Sequence, residues 1–462
     1  MKRVLSLILV VVLALSVLLV SASCASTGDK GDKDAGGKYG NDIPGGVGDV
    51  SAEVLEALSE SGTISVYNFN GSVTEEDKQF EEYFEQVYGG KLDYRFKVWN
   101  YWFNDFMKDF AGNDAPDVTY VYNEFWPKLG SRGYVYSQRE LKEMGIVGLD
   151  HPVITNSLEL SEANYSIAGE VYSLDVYKVS PTVMAVNNKI LKDCGVTKTP
   201  TDYYKEGVWN WDNFLEVCRQ VHAIDKDGDG KNDYVGYAGW NGHYVIGMND
   251  GRLIGIDKKT GMVSLNFDDI KVKNGFEMYN DIYAQKKYAE MNHEISGGNL
   301  AMFVMEDFNI AKQYNKAVEA SGKDAVKEWT VVPLPDGPNA TEDYVYGFVE
   351  GNFIVSSTDN PQGCLNYIIA KHTFNDKYYE VNPNTDLTYW LDDEGDQMLA
   401  DLQPRVFEGL WAGVANVFSN QWGLWEDLRA GKKSVSEVVE EYTPFFNQQC
   451  EIENQNRGKE KK

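Results

Sequence analysis

The chain has 462 residues, of which 71 are acidic and 43 basic, giving a net charge of −28 with a hydrophobic content of 43%. That length exceeds what a single hydrophobic core fills, so two lobes are expected. A surface this negative repels polyanions, which excludes nucleic acid as a partner, and it favours solubility outside the cell.

"MKRVLSLILVVVLALSVLLVSASC" sets Lys2 and Arg3 before an apolar run from Val4 to Val20 and closes on small residues at Cys24. This is the layout of a secretory signal over residues 1–23. Its apolar run, about 17 residues, stands at the lower limit for a membrane span, and the small residues at its end favour cleavage. Ser21-Ala22-Ser23-Cys24 resembles a bacterial lipobox with Ser21 where Leu or Val is usual; it also suits an ordinary signal peptidase. Residues 24–50 are rich in Gly and charge and form a flexible tether.

The folded part begins near Ser51. "GTISVYNFNG" reads as a strand, and "EEDKQFEEYFEQVYGG" places Phe80, Tyr83, Phe84 and Val87 on one helical face before a glycine pair. "KLDYRFKV" is a second strand, "NYWFNDFMKDFAG" a helix and "PDVTYVYN" a third strand. This alternation predicts an α/β class with a largely parallel sheet covered by helices.

Farther on, Phe214, Cys218, Val221 and Ile224 recur at helical spacing and run into "DKDGDGKNDYVGYAGW". An EF-hand loop takes oxygens at positions 1, 3 and 5, glycine at 6, a carbonyl at 7 and glutamate at 12. Those places fall on Asp225, Asp227, Asp229, Gly230, Lys231 and Gly236, with Asp233 at the ninth, so the closing carboxylate is missing. Alternating aspartates before a glycine require a cation to screen their repulsion, and a structural Ca²⁺ site is expected on a helix–loop–strand rather than a helix pair. Cys194, Cys218, Cys364 and Cys450 form no CxxC pair, which removes zinc and thioredoxin-like chemistry and leaves disulfides and free thiols both open.

Several stretches in order carry a family resemblance: "AGNDAPDVTYVYN", "GEVYSLDVYKVSPTVMAVNNKIL", "CGVTKTPTDYYKEGVWNWDNFLEVCRQV", "DKDGDGKNDYVGY", "GGNLAMFVMED" and "WTVVPLPDGP". Together they resemble the family-1 extracellular solute-binding proteins, the maltose-binding-protein-like receptors of ABC sugar importers. The resemblance implies a two-lobe, hinged periplasmic-binding-protein-like fold of type II, with lobe I over residues 51–172 and 301–345 and lobe II over 173–300 and 346–462. Crossings are expected near "YSLDVYKVS", "NLAMFV" and "YGFVEGNF". It also implies Ca²⁺ ligands at Asp225, Asp227, Asp229, the Lys231 carbonyl and Asp233, lipidation of Cys24, membrane anchoring, delivery to a permease and a monomeric state.

Eleven Trp and 29 Tyr exceed the needs of two α/β cores, and sugar rings stack on such side chains while their hydroxyls bond planar Asn, Asp and Glu. The candidates are Asn70, Trp99, Trp102, Asn123, Glu124 and Trp126 on strand-end loops, Trp240 and Asn241 after the acidic loop, Glu306 and Asp307 after "LAMFVM", and Trp411 at the start of a late helix, where the resemblance implies a stacking tryptophan. Trp126, Trp240 and Trp411 are the expected stacking platforms. The competing class is a secreted carbohydrate-active enzyme using two carboxylates, with Glu124 and Glu306 as candidates. No HExxH, GxSxG or P-loop pattern occurs, and His151, His222, His243, His293 and His372 lack ligand spacing.

Overall fold

The computed structural model describes residues 56–98, 101–122, 126–239, 242–291, 294–341, 345–381, 386–407 and 418–457. The signal, the tether and Cys24 lie outside them. Strands β1 (Gly62–Asn68) and β2 (Gly90–Phe96) pair in parallel from Gly62↔Gly90 to Asn68↔Phe96 around α1 (Glu75–Tyr88). The Thr74 and Asp77 side chains cap α1 reciprocally, and Gly89 ends it at φ 60°. The buried face of α1 is Phe80, Tyr83, Phe84 and Tyr88; Val87 is only half-buried because Tyr88, four residues beyond Phe84, takes the inward position.

Next come α2 (Trp102–Ala111), β3 (Val118–Tyr122), which lies parallel to β1, and α3 (Trp126–Ser131). Two short helices, α4 (Pro152–Asn156) and α5 (Leu158–Tyr165), and the hairpin β4 (Ser166–Ile167)/β5 (Glu170–Val171) lead to the long strand β6 (Asp175–Asn187). Then follow α6 (Trp211–His222), β7 (Val235–Gly239), α7 (Gly242–Gly247), the hairpin β8 (Ile254–Ile256)/β9 (Val263–Leu265) and α8 (Ile270–Asn280). The chain continues through β10 (Ala289–Glu290), β11 (Leu300–Glu306), α9 (Asp307–Ser321), β12 (Trp329–Pro333) and the second long strand, β13 (Val345–Ile354). It closes with α10 (Pro361–Val381), α11 (Asp393–Leu402), β14 (Val406–Phe407), α12 (Phe418–Ala430) and α13 (Val435–Asn456).

A ten-stranded sheet runs β10-β7-β11-β6-β13-β3-β1-β2, with β12 also on β6 and β14 also on β13. Within each end the strands are parallel, as the strand–helix alternation predicts. The long strands β6 and β13 join the ends. From Asp175 to Pro181, β6 pairs with β13; from Thr182 onward it pairs with both β11 and β12 over nearly the same residues. Two of the three expected crossings therefore fall on β6 and β13. "NLAMFV" does not cross: β11 lies between β6 and β7, buried along its whole length, inside the second half.

The expected lobe boundaries are corrected accordingly. Residues 300–333 pair within the second half, whereas β13 returns into the first half against β3, and α10 packs there on α1 and β1. The motif order located the strands, but pairing partners decide which lobe a strand joins. Where the long strands cross, Gly347 would set a Cβ 2.4 Å from the Ser180 carbonyl, so a side chain there would force the strands apart. A register shift between Glu350 and Gly351 bends β13 at the same place.

At the C-terminus, Phe446 of α13 packs on Phe267, and Trp425 of α12 packs on Phe276. Glu453 on α13 reaches Arg132, just past α3, in a buried ion pair of 2.8 Å and also accepts from Ser131 at 2.9 Å. Asn454 pairs with both backbone groups of Val263 in β9. The last helix thus grips both halves. Cys194, Cys218, Cys364 and Cys450 are free thiols. Among the described residues no helix is long and apolar enough to cross a membrane.

Candidate functional site

The parallel strands of both halves end toward the crossing of β6 and β13, so the loops that follow them converge there. On the first half, Asn70 follows β1 and is exposed, its backbone N–H donating to the Asn68 side chain at 2.9 Å. Phe96, Val98 and Tyr101 follow β2 and are 47%, 61% and 64% exposed, a concentration of apolar surface at one lip. Phe69 meets Tyr120 of β3 edge to face.

Two candidate tryptophans, Trp102 and the expected platform Trp126, are core residues instead. Trp102 is 1% exposed among Phe103 and Phe106, and Trp126 is 0% exposed between Tyr165 and Tyr172. Each opens a helix whose first turn folds back onto the aromatic core, so its ring faces inward. Among the described residues the solvent-facing aromatics at this lip are Phe96 and Tyr101, which the focus on tryptophan missed. Trp99, Asn123, Glu124, Trp240, Asn241 and Trp411 lie outside the described residues.

The floor is built from the long strands and the β11–α9 junction. Lys178 on β6 stands opposite Glu350 on β13, and Glu306 at the end of β11 stands opposite Thr182. Glu306 is 2% exposed and accepts from Tyr244 Oη and Asn309 Nδ2, both at 2.8 Å. Such pairing leaves neither oxygen of the buried carboxyl without a partner. Asp307 begins α9. Burial pushes its carboxyl up to about 7, against the opposing pull of Lys178 and the Phe308 N–H. The Lys178 ammonium lies 3.8 Å and that of Lys312 4.8 Å from the centre of the Phe308 ring.

Acceptors, ammonium donors and an aromatic face thus share one floor between two halves. Groups of these types bind hydroxyls and sugar faces, although Glu306 and Glu350 are only 2% and 6% exposed here. Glu306 and Asp307 were legible as strand-end acids. Lys178, Phe308, Lys312 and Glu350 were not, although a lysine inside "DVYKVS" and a glutamate inside "GFVEGNF" break otherwise apolar strands.

Lys128 of α3 is 5% exposed over the Phe103 ring, and burial lowers its ammonium to about 8 despite the opposing charge of Glu453. The acidic loop lies between α6 and β7, giving the expected helix–loop–strand. Carboxylate oxygens of Asp225, Asp227 and Asp229 lie within 4.8 Å of one another. Asp225 accepts from the N–H groups of Gly228 at 2.7 Å and Gly230 at 2.9 Å, Asp227 from Asp229 at 3.0 Å, and Asp229 from Lys231 at 2.8 Å. Gly228 and Gly230 take φ of 76° and 83°, which lets the loop wind around the three acids. Three converging carboxylates suit a hard cation. Asp233 stands apart from that group, its Oδ2 accepting from the Lys226 backbone N–H.

Two halves joined by paired crossing strands, with a polar and aromatic floor between them, define a cleft-type binding protein. A bacterial extracellular solute-binding protein family model matches residues 70–363, and the chain belongs to that family. Comparison with curated protein sequences returns no match. Solved structures share the two-lobe maltose-binding-like fold. A Listeria monocytogenes ABC substrate-binding protein in complex with cycloalternan is 14% identical, covering 84% of this chain and 98% of its own, with a TM-score of 0.61. The binding protein of Bifidobacterium animalis subsp. lactis in complex with β-1,6-galactobiose is 16% identical over 85% and 98%, TM-score 0.61. The sugar-binding protein MalE of Xanthomonas citri is 14% identical over 85% and 98%, TM-score 0.59.

Proposed function

We propose that this protein captures a carbohydrate, an oligosaccharide in the first instance, in the cleft at the β6–β13 crossing and passes it unchanged to the permease of an ABC importer. The observation that carries this reading is the floor itself: Glu306, Glu350 and Asp307 as acceptors, Lys178 and Lys312 as donors, and the Phe308 face, set where two hinged halves meet. Sugar-bound relatives of the same fold support it. Cys24 is the proposed lipid anchor and holds the receptor at the outer face of the membrane as a monomer. Titrating the protein with an oligosaccharide panel should raise the melting temperature and change tryptophan fluorescence for a binder, with no new reducing ends over time. Reducing ends that accumulate would support instead the two-carboxylate hydrolase reading; no response to any glycan would remove the transport reading.

We propose further that Ca²⁺ braces the loop through Asp225, Asp227 and Asp229, with the Lys231 carbonyl beside them; Asp233 enters only if its side chain leaves the Lys226 N–H. Bound there, the ion would neutralise the three carboxylates and hold α6 to β7. EGTA should lower the melting temperature of the parent protein and leave Asp225→Asn unmoved, with glycan preference kept in both. An unchanged melting temperature in the parent would sink the assignment.

A further inference from the structure

Lys178 and Lys312 share the Phe308 ring, at 3.8 Å and 4.8 Å from its centre, and neither has an ion-pair partner among the described residues. In a chain with 71 acids and 43 bases, two neighbouring ammonium groups facing a ring rather than a carboxylate are out of keeping with the rest of the molecule. Like charges this close repel, and the repulsion is relieved when an anion sits between them.

The acids nearby do not take that place. Both oxygens of Glu306 are engaged by Tyr244 and Asn309. Burial pushes Asp307 up to about 7, with the charge of Lys178 opposing and that of Asp386 adding to the rise, so its carboxyl is only partly charged near neutral pH. Glu350 lies opposite Lys178 in the strand register, and its charge acts on Lys312 from beyond ion-pairing range. Partial burial and then the charge of Lys178 lower the Lys312 ammonium, against the opposing charges of Glu350 and Glu306.

We infer that the solute carries an anionic group, a carboxylate or a sulfate or phosphate ester on the saccharide, seated between Lys178 and Lys312 above Phe308. This rests on the solute-binding reading and narrows its ligand to acidic saccharides. Charge-assisted bonds from two ammonium groups are about twice as strong as neutral ones, so the anion would add affinity as well as specificity. It would also reverse, locally, the repulsion that the negative surface imposes on an acidic ligand.

Calorimetry on the full-length mature protein distinguishes the sources. The probes are a neutral maltotriose and galactotriose, a trigalacturonate, a sulfated disaccharide, a phosphorylated disaccharide, and inorganic sulfate alone. One acidic saccharide should bind at least roughly tenfold tighter than its neutral counterpart, and the advantage should shrink as salt rises to about 0.5 M. Lys178→Gln and Lys312→Gln should each reduce that advantage and its salt dependence while leaving the melting temperature of the free protein near that of the parent. Neutral sugars binding as tightly as acidic ones, an advantage unaffected by either substitution, or binding of inorganic sulfate with no saccharide preference would each overturn the inference while leaving sugar capture standing. No binding by any saccharide would overturn both.

Discussion

Asp307 and Gly347 show at the scale of single residues how the cleft constrains side chains. Because burial lifts the folded-state value of Asp307 to about 7, above the usual 3.9 or so of an unfolded chain, the folded protein holds the extra proton between those values. Its contribution is therefore greatest in acid and declines as pH rises toward 7. Asp307→Asn should flatten that part of the stability–pH curve, read as melting temperature from pH 4 to 7.5; an unchanged slope would show that the carboxyl is charged throughout. Gly347→Ala should cost about 1–3 kcal/mol in urea denaturation, because the added carbon meets the Ser180 backbone rather than a side chain that could swing away. The tryptophans teach the same lesson. Trp102 and Trp126 sit beside strand-end loops in the sequence, yet the direction of the first helical turn sends both rings into the core.

Among elements, β6 is held at its first residue by a buried polar knot. Asp175 is 0% exposed; its Oδ1 accepts from Asn352 Nδ2 on β13 at 2.9 Å, and its Oδ2 faces His372 Nδ1 of α10 at 3.2 Å. Burial works against the His372 cation, but the hydrogen bond and charge of Asp175, with Asp376 adding to them, outweigh it and raise the imidazole above its ordinary value. A raised histidine stabilises the fold fully below about 6.5 and loses that contribution as pH climbs through the folded-state value. His372→Gln should lower stability by about 1–3 kcal/mol at pH 6 and much less at pH 8.5. Equal losses at both pH values would mean that the pair acts through packing alone. Sequence made the neighbouring elements legible: the capped α1, the alternation of β1 to β3 and the helix–loop–strand around Asp225 each depend on residues within one short segment. The knot was not legible, because Asp175 and His372 are brought together only by the packing of α10 against a strand nearly 200 residues earlier.

For the whole molecule, the C-terminal helix is the clasp outside the crossing strands. Arg132 and Glu453 are 10% and 3% exposed at their side chains, and removing one leaves the other charge buried. Glu453→Ala should cost about 3–5 kcal/mol by denaturant, and Arg132→Ala combined with it much less than the sum of the single changes. Additive losses would show that the two do not act as a pair.

The sequence by itself determined the α/β class, the acidic loop and the family, since each is written in local spacing, composition or motif order. Only the tertiary structure decided that β11 belongs to the second half, which tryptophans are filler, and that Lys178, Glu306, Phe308 and Glu350 form one floor. Strand pairing supplies the reason. A one-residue change of register on β6 or β13 would turn Lys178 and Glu350 to the other face, and nothing local to either residue specifies that register.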